Sequence, residues 1–310
     1  MTRDSRRAGL SSSRAMDSSG DLAAGTAAGH RIERPAAAAG AAVFASPHSG
    51  RDYPADLLAA TRLDPQSLRR SEDCFVDEIF ADAPAAGAPL IRALFPRAYV
   101  DANREPYELD PAMFDGPLPD FCNTRSPRVM AGLGTIARIV ATGSDIYARK
   151  LAVTEGLERI DRFYRPYHRD LAALLDERRA RHGHAILIDC HSMPSIGGPH
   201  DFDSGRRRAD MILGDAHGAS CASALVETVA RLLRGLGYRV SHNAPYAGGY
   251  TTQHYGRPEQ GIHALQIEIN RDIYMDERRF ARKPGLARLA ADMRLVIAGV
   301  IGLDARALAA

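Results

Sequence analysis

Short aliphatic runs closed by turn formers recur along this chain, and two of them end in a histidine. One is Ala41-Ala42-Val43-Phe44-Ala45-Ser46-Pro47-His48-Ser49-Gly50; the other is Ala185-Ile186-Leu187-Ile188-Asp189-Cys190-His191-Ser192-Met193-Pro194-Ser195. Bounded runs of this kind read as parallel strands buried on both faces. Ligands of open α/β sheets bind beyond the carboxyl ends of such strands, which is where both histidines fall. A third run, Ala264-Leu265-Gln266-Ile267-Glu268-Ile269-Asn270-Arg271, alternates instead. It sends Leu265, Ile267 and Ile269 to one face and Gln266, Glu268 and Asn270 to the other. In a buried central strand that second face cannot be left to water. Glu268 must be paired or neutralised there, which makes it a functional candidate.

Ala98–Asp101, Ala209–Asp215 and Tyr238–Ser241 read as further strands. Helical spacing fits about Pro65 to Ala83, through Leu68, Phe75, Val76, Ile79 and Phe80. It returns over about Thr154 to His182, where Pro166 should kink or split the helix. Two more helices are expected, about Ser220 to Leu236, ended by Gly237, and about Gly285 to Leu303. Residues 1 to about 35 hold Ser, Ala, Gly and Arg with almost no large apolar side chains, and are expected to form a disordered leader.

Composition narrows the class. With 310 residues, 45% of them hydrophobic, the chain can bury a substantial core as one large domain or two small ones. Forty basic residues against 38 acidic ones give no reason to expect a nucleic-acid partner. The cysteines Cys74, Cys122, Cys190 and Cys221 form no CxxC pair, which fits a reducing cytoplasm and excludes a cysteine-based metal cluster. No apolar run approaches the ~18 residues of a membrane span. Arg3, Arg6 and Arg7 precede no apolar segment of a secretion signal.

The candidate chemistry centres on the paired histidines. A lone His at a strand end is more often a hydrogen-bonded structural residue, but two in matched contexts point to a metal site. A catalytic zinc commonly takes two His and a carboxylate and leaves one position open. The expected helix carries the acids Glu72, Asp73, Asp77 and Glu78, most of which suit a solvated face; Asp73 and Asp77, four apart, share a face, and one of the four can turn toward His48. Asn103-Arg104, at the exit of the expected strand Ala98–Asp101, offers an amide and a cationic fork suited to a carboxylate or an oxyanion. The long loop that follows carries Arg125 and Arg128, and the loop from Gly197 to Arg208 reads as a mobile lid. In Tyr246–Gly256 the paired glycines let backbone approach a ligand, with Tyr250 and His254 as candidate contacts. A loop histidine held by a structural hydrogen bond is the commoner case for His254.

Four of these stretches, taken in order, resemble the N-formylglutamate amidohydrolase family. They are Ser46-Pro47-His48-Ser49-Gly50-Arg51-Asp52-Tyr53-Pro54, Asp101-Ala102-Asn103-Arg104-Glu105-Pro106, Asp189-Cys190-His191-Ser192-Met193-Pro194 and Gln266-Ile267-Glu268-Ile269-Asn270-Arg271. The resemblance spans about residues 40 to 300. It implies a single catalytic domain over 36–310 with a three-layer α/β/α sandwich around a mixed, mostly parallel sheet, similar to zinc carboxypeptidases and aspartoacylases. It also implies hydrolysis of N-formyl-L-glutamate to formate and glutamate, the last step of one histidine-degradation route. His48 and His191 become expected ligands of one Zn²⁺, Glu268 the expected general base, and Asn103-Arg104 the pair near the substrate. The related enzymes carry a Glu three residues after the first His, where this chain has Arg51, which cannot ligate. Asp73 matches the family's recurring acid and is the expected third ligand, with Asp77 the alternative. A dianionic substrate calls for at least two cations; Arg104 and Arg125 are the first choices, with Arg51, Arg128 and Arg271 in reserve. The rival readings are a zinc amidohydrolase of another N-acyl amino acid or small peptide, and a metal-free α/β binding protein. A serine hydrolase using Ser49 or Ser192 lacks the GxSxG elbow.

Overall fold

The computed structural model describes residues 29–140, 143–198 and 201–309. Seven strands form the main sheet: β1 (His30–Glu33), β2 (Ala42–Ser46), β3 (Leu90–Ala93), β4 (Ala185–Met193), β5 (Met211–Gly214), β6 (Val240–His242) and β7 (Ile262–Asn270). Their order across the sheet is β1-β3-β2-β4-β7-β5-β6. The central strands β3, β2, β4 and β7 are mutually parallel. β1 joins β3 antiparallel at one edge, and β5 joins β7 antiparallel toward the other. The sheet is therefore mixed and mostly parallel, as expected. Most of the expected leader, residues 1–28, lies outside the described residues, but His30–Glu33 is edge strand β1, so the ordered chain begins before residue 36.

Helices cover both faces. α2 (Ser223–Gly235) and α4 (Gly285–Ile301) pack on the face formed by Phe44, Ile186, Ile188, Leu265, Ile267 and Ile269. The opposite face receives α1 (Arg165–His182) and the irregular chain from Phe95 to Leu151, over Val43, Ala45, Leu187 and Ala264. α3 (Tyr250–Tyr255) lies against β7 and β4. Along β4 and β7 the second face changes character. Its amino-terminal half is Ala185, Leu187 and Ala264, under α1, whereas its carboxyl-terminal half is Asp189, His191, Gln266 and Glu268, all buried. The alternation read from the sequence of β7 is thus the one the sheet shows.

Two expected elements form differently. The helix expected over Pro65–Ala83 breaks into Pro65–Leu68, a 3₁₀ turn at Arg69–Ser71, and Val76–Ile79. Phe75 between them is left-handed, with φ 66°, a costly conformation for a bulky residue. Buried Glu72 causes the interruption: it accepts from Tyr53, from Arg69 Nε at 3.1 Å and from Cys74 Sγ at 3.0 Å. Ala98–Asp101 is turn, not strand; its apolar side chains are buried by packing on the second face. Pro166 does mark a break: the helix from Val153 to Arg159 passes through a π-helical turn at Ile160–Tyr164 before α1 begins. No helix among the described residues is long and apolar enough to cross a membrane.

Candidate active site

His48 stands two residues past the end of β2, His191 lies near the end of β4, and Glu268 is its register partner on the adjacent β7. Asp73 reaches the same point from the broken helical segment, where its N–H donates to the His48 carbonyl at 2.9 Å. Candidate ligand atoms of His48, Asp73 and His191 all lie within 4.8 Å of one another, and all three side chains are buried. Asp73 Oδ2 sits 3.0 Å from His191 Nδ1 and 3.4 Å from His48 Nδ1. The second approach does not amount to a hydrogen bond, and His48 Nδ1 is left sealed from solvent with no partner.

The far side of each imidazole meets a carboxylate. His48 Nε2 bonds Asp101 Oδ1 at 2.7 Å, and His191 Nε2 lies 3.0 Å from Asp189 Oδ1. The latter is a close ionic contact without hydrogen-bond alignment, since Asp189 Oδ1 has no hydrogen-bond partner. A carboxylate behind each ring orients it and presents the opposite nitrogen, the usual support for metal-ligating His. Four buried carboxylates, Asp73, Asp101, Asp189 and Glu268, gather at this point, with Arg97 paired to Asp101 and Arg271 to Asp73. Burial lowers the His191 pKa, but Asp189 and Asp73 outweigh it and raise it well above the ordinary imidazole value. Burial raises the Asp73 pKa, yet His191, His48 and Arg271 hold it well below the carboxylate range. An orphaned Nδ1, a second Nδ1 and a carboxylate oxygen, all within 4.8 Å of one another, fit a metal cation with two His and one carboxylate as ligands.

Glu268 is held differently. Burial is the main cause that raises its carboxyl to about 7, aided by Asp73 and opposed by His191, Arg97 and Arg271. Its Oε1 accepts from Gln266 Nε2 at 3.0 Å, and Gln266 Oε1 accepts from Gly249 N–H at 2.7 Å. Around these groups opens a cavity of about 430 Å³, lined on its charged side by Arg70, Arg97, Arg104, Arg128 and Arg271.

Asn103 and Arg104 both line this cavity. Asn103 Oδ1 accepts from Thr251 N–H at 2.7 Å, and its Nδ2 lies 3.0 Å from His191 Nε2. Gly249 is required here, because a Cβ on it would meet Asn103 Nδ2 at 2.3 Å. Arg104 donates from Nε to the Leu133 carbonyl and from Nη1 to the Asn103 carbonyl. Burial pulls its pKa down to about 9.

Other expected residues do not reach the cavity. Arg125 is exposed on its loop, where Asn123 Oδ1 accepts from its backbone N–H. Tyr250 and His254 stack on each other at 4.8 Å in α3, which braces Asn103 through Thr251 instead. Asp77, the alternative ligand, binds Arg92 at 2.7 Å, and Arg51 pairs with Glu78. The expected lid is pinned at its end: buried Arg208 bonds Asp203 and Asp201 and lies over the Tyr246 ring.

A sequence model of the family described as N-formylglutamate amidohydrolase matches residues 40–275. The chain belongs to this family. It is 33% identical to the N-formylglutamate deformylase of Pseudomonas aeruginosa over 219 residues, 69% of this chain and 75% of that one. It is 31% identical to the N-formylglutamate deformylase of Pseudomonas putida over 209 residues, 66% of this chain and 71% of that one. The crystal structure of N-formylglutamate amidohydrolase from Ralstonia eutropha JMP134 superposes with a TM-score of 0.82 at 37% identity, covering 89% of this chain and 98% of that one. A gene product of Agrobacterium tumefaciens shares the fold at a TM-score of 0.55 and 20% identity, covering 88% and 94%. In this amidohydrolase the carboxylates behind the histidines, Asp101 and Asp189, and the pocket cations Arg70 and Arg97 went unassigned in the sequence. Asp189 had a readable signal: it lies two residues before His191 on the same strand face.

Proposed function

We propose that the protein hydrolyses the amide bond of N-formyl-L-glutamate to formate and L-glutamate, with one zinc ion held by His48, Asp73 and His191. The observation that carries this reading is the buried His-Asp-His cluster beside Glu268, in an arginine-walled cavity of an N-formylglutamate amidohydrolase family chain. Zinc bound there would polarise the formyl carbonyl and lower the pKa of a bound water from 15.7 to about 7.

The chain's own groups do the rest. Glu268 takes a proton from the attacking water on its carboxylate and returns it to the departing amine nitrogen. Burial raises its carboxyl above the ordinary range, which makes it a better proton acceptor than an exposed Glu. Arg104 has two donors tied to backbone carbonyls, which fixes its plane; Nη2 is left to stabilise the developing oxyanion. Asp101 and Asp189 hold the imidazoles in one orientation throughout. We assign the reaction to the end of a histidine-degradation route and the protein to the cytoplasm, where its four unpaired cysteines suit a reducing compartment.

The test is formate release from N-formyl-L-glutamate by the purified protein, before chelation, after it, and with zinc restored. Loss on chelation and return with zinc is expected. No release from folded, zinc-loaded protein overturns the substrate assignment, and full activity after exhaustive chelation overturns the zinc assignment.

A further inference from the structure

Of the five arginines around the cavity, three are committed to the protein. Arg97 Nε donates to Asp101 Oδ2 at 2.8 Å, and Arg271 Nη2 donates to Asp73 Oδ1 at 2.9 Å. Arg104 is tied by Nε to the Leu133 carbonyl at 3.0 Å and by Nη1 to the Asn103 carbonyl at 2.8 Å. The side chains of Arg70 and Arg128 have no hydrogen-bond or ion-pair partner among the described residues. Arg70 is exposed, whereas Arg128 is partly buried.

Arg128 also stands in a built position. Pro127 opens the short helix Pro127–Met130, Ser126 Oγ accepts from Val129 N–H at 3.1 Å, and the Arg128 carbonyl accepts from Leu133 N–H at 2.8 Å. Its charge is felt at Arg104, where burial first, then Arg97 and Arg128, lower the pKa. A guanidinium that opens into the cavity with no partner of its own is a receptor for a carboxylate. Arg104 follows Asn103, whose amide touches His191, and so belongs to the reacting end. Arg97 and Arg271 are the cations that act on Glu268, whereas Arg128 acts on Arg104 and enters the cavity from the short helix Pro127–Met130.

We propose that Arg128 is the specificity residue for the distal carboxylate of the substrate, so that the pocket selects N-formyl dicarboxylates over N-formyl amino acids with uncharged side chains. The inference rests on the deformylase reading and deepens it.

The experiment compares kcat/KM for N-formyl-L-glutamate and its isostere N-formyl-L-glutamine, in zinc-loaded wild type, Arg128→Gln, Arg128→Lys and Arg70→Gln. A hydrogen bond to a charged group is worth about 1.5–3 kcal/mol, so the wild-type preference for the dianion should be roughly 10- to 100-fold. In Arg128→Gln that ratio should collapse toward one, mainly through KM for the dianion. Arg128→Lys keeps the charge but not the fork, and should recover part of the ratio. An unchanged ratio in Arg128→Gln, or a ratio lost in Arg70→Gln and kept in Arg128→Gln, overturns the assignment. A wild type that releases formate from neither amide overturns the deformylase reading itself, which separates the two failures.

Discussion

The active site has a strand-borne half and a loop-borne half, and the two are built on different principles. His48, His191 and Glu268 stand on or just past adjacent parallel strands, so their spacing follows from register: His191 is paired with Glu268, and Ala45 with Asp189. Asp73, Asp101, Asn103 and Arg104 stand on irregular chain and Arg128 on a single short helix, and the first four are placed by contacts that cross long stretches of sequence. Asp101 reaches His48 across 53 positions, and Arg271 reaches Asp73 across 198. A site made this way has a rigid floor and an upper wall held by hydrogen bonds. Binding groups that distinguish one substrate from another belong to the wall.

The largest effect should come from breaking the floor. His191→Ala removes a proposed zinc ligand and leaves buried carboxylates without their imidazole, so zinc content by elemental analysis should fall to background and formate release by about 10³-fold or more. Glu268→Gln keeps the shape of the floor and removes only the proposed proton carrier. Zinc should stay bound while kcat falls by a factor of ~10² or more; turnover near wild type would remove Glu268 from the mechanism.

The supporting wall should count for less. Asp101→Asn leaves His48 in place but weakens what orients it, and about 10- to 100-fold in zinc affinity or activity is expected. Competition with a fluorescent chelator reads the affinity directly.

A pH experiment separates Glu268 from the acids around it. In metal-free protein its carboxyl is raised to about 7 against an ordinary 4.5, mainly by burial, so the folded state binds its proton more tightly than the unfolded state does. That contribution to stability is fully present below about 4.5 and is lost as pH rises through about 7. The chelated wild type should therefore lose more Tm than chelated Glu268→Gln over this interval. Equal losses would place the titration elsewhere. The smallest expected effect is on the loop that carries Arg128. Ser126→Ala removes the bond to Val129 N–H and should cost about 1 kcal/mol of local stability. A few-fold rise in KM for N-formyl-L-glutamate with unchanged zinc content would tie that loss to the binding wall.

The same division decides how much was legible in the sequence. Strands β2, β4 and β7 announce themselves by unbroken or alternating apolar runs, and the polar face of β7 follows from period two alone. His48, His191 and Glu268 came with them. The segment around Asp73 shows the opposite case. Phe75, Val76, Ile79 and Phe80 carry helical spacing, but bonds to Glu72 and the approach of Asp73 to His48 open the chain there, and neither leaves a local pattern. Ala98–Asp101 is an apolar run that packing, not a strand, buries; short apolar runs do not separate the two. Arg125 and Arg128 are indistinguishable in composition, and only the fold turns Arg128 toward the cavity.

The π-helical turn at Ile160–Tyr164 has a consequence for the wall. A wider turn holds one residue more than an α-turn, so the two flanking helical segments are out of phase by about 100°. Both segments are engaged. On one side Gly156 packs so closely on the Phe114 ring that a Cβ would sit 2.6 Å from Cε1. At the far end of the turn Tyr164 Oη donates to the Arg104 carbonyl at 2.7 Å, and in the helix beyond it His168 Nε2 donates to the Ala102 carbonyl at 2.8 Å. The extra residue thus works as a phase shifter: it dials the donors of one helix onto the backbone that carries Asn103 and Arg104. Deleting one of residues 160–163 would take out that extra residue and, with every pocket side chain still present, turn those donors about 100° away from the backbone they hold.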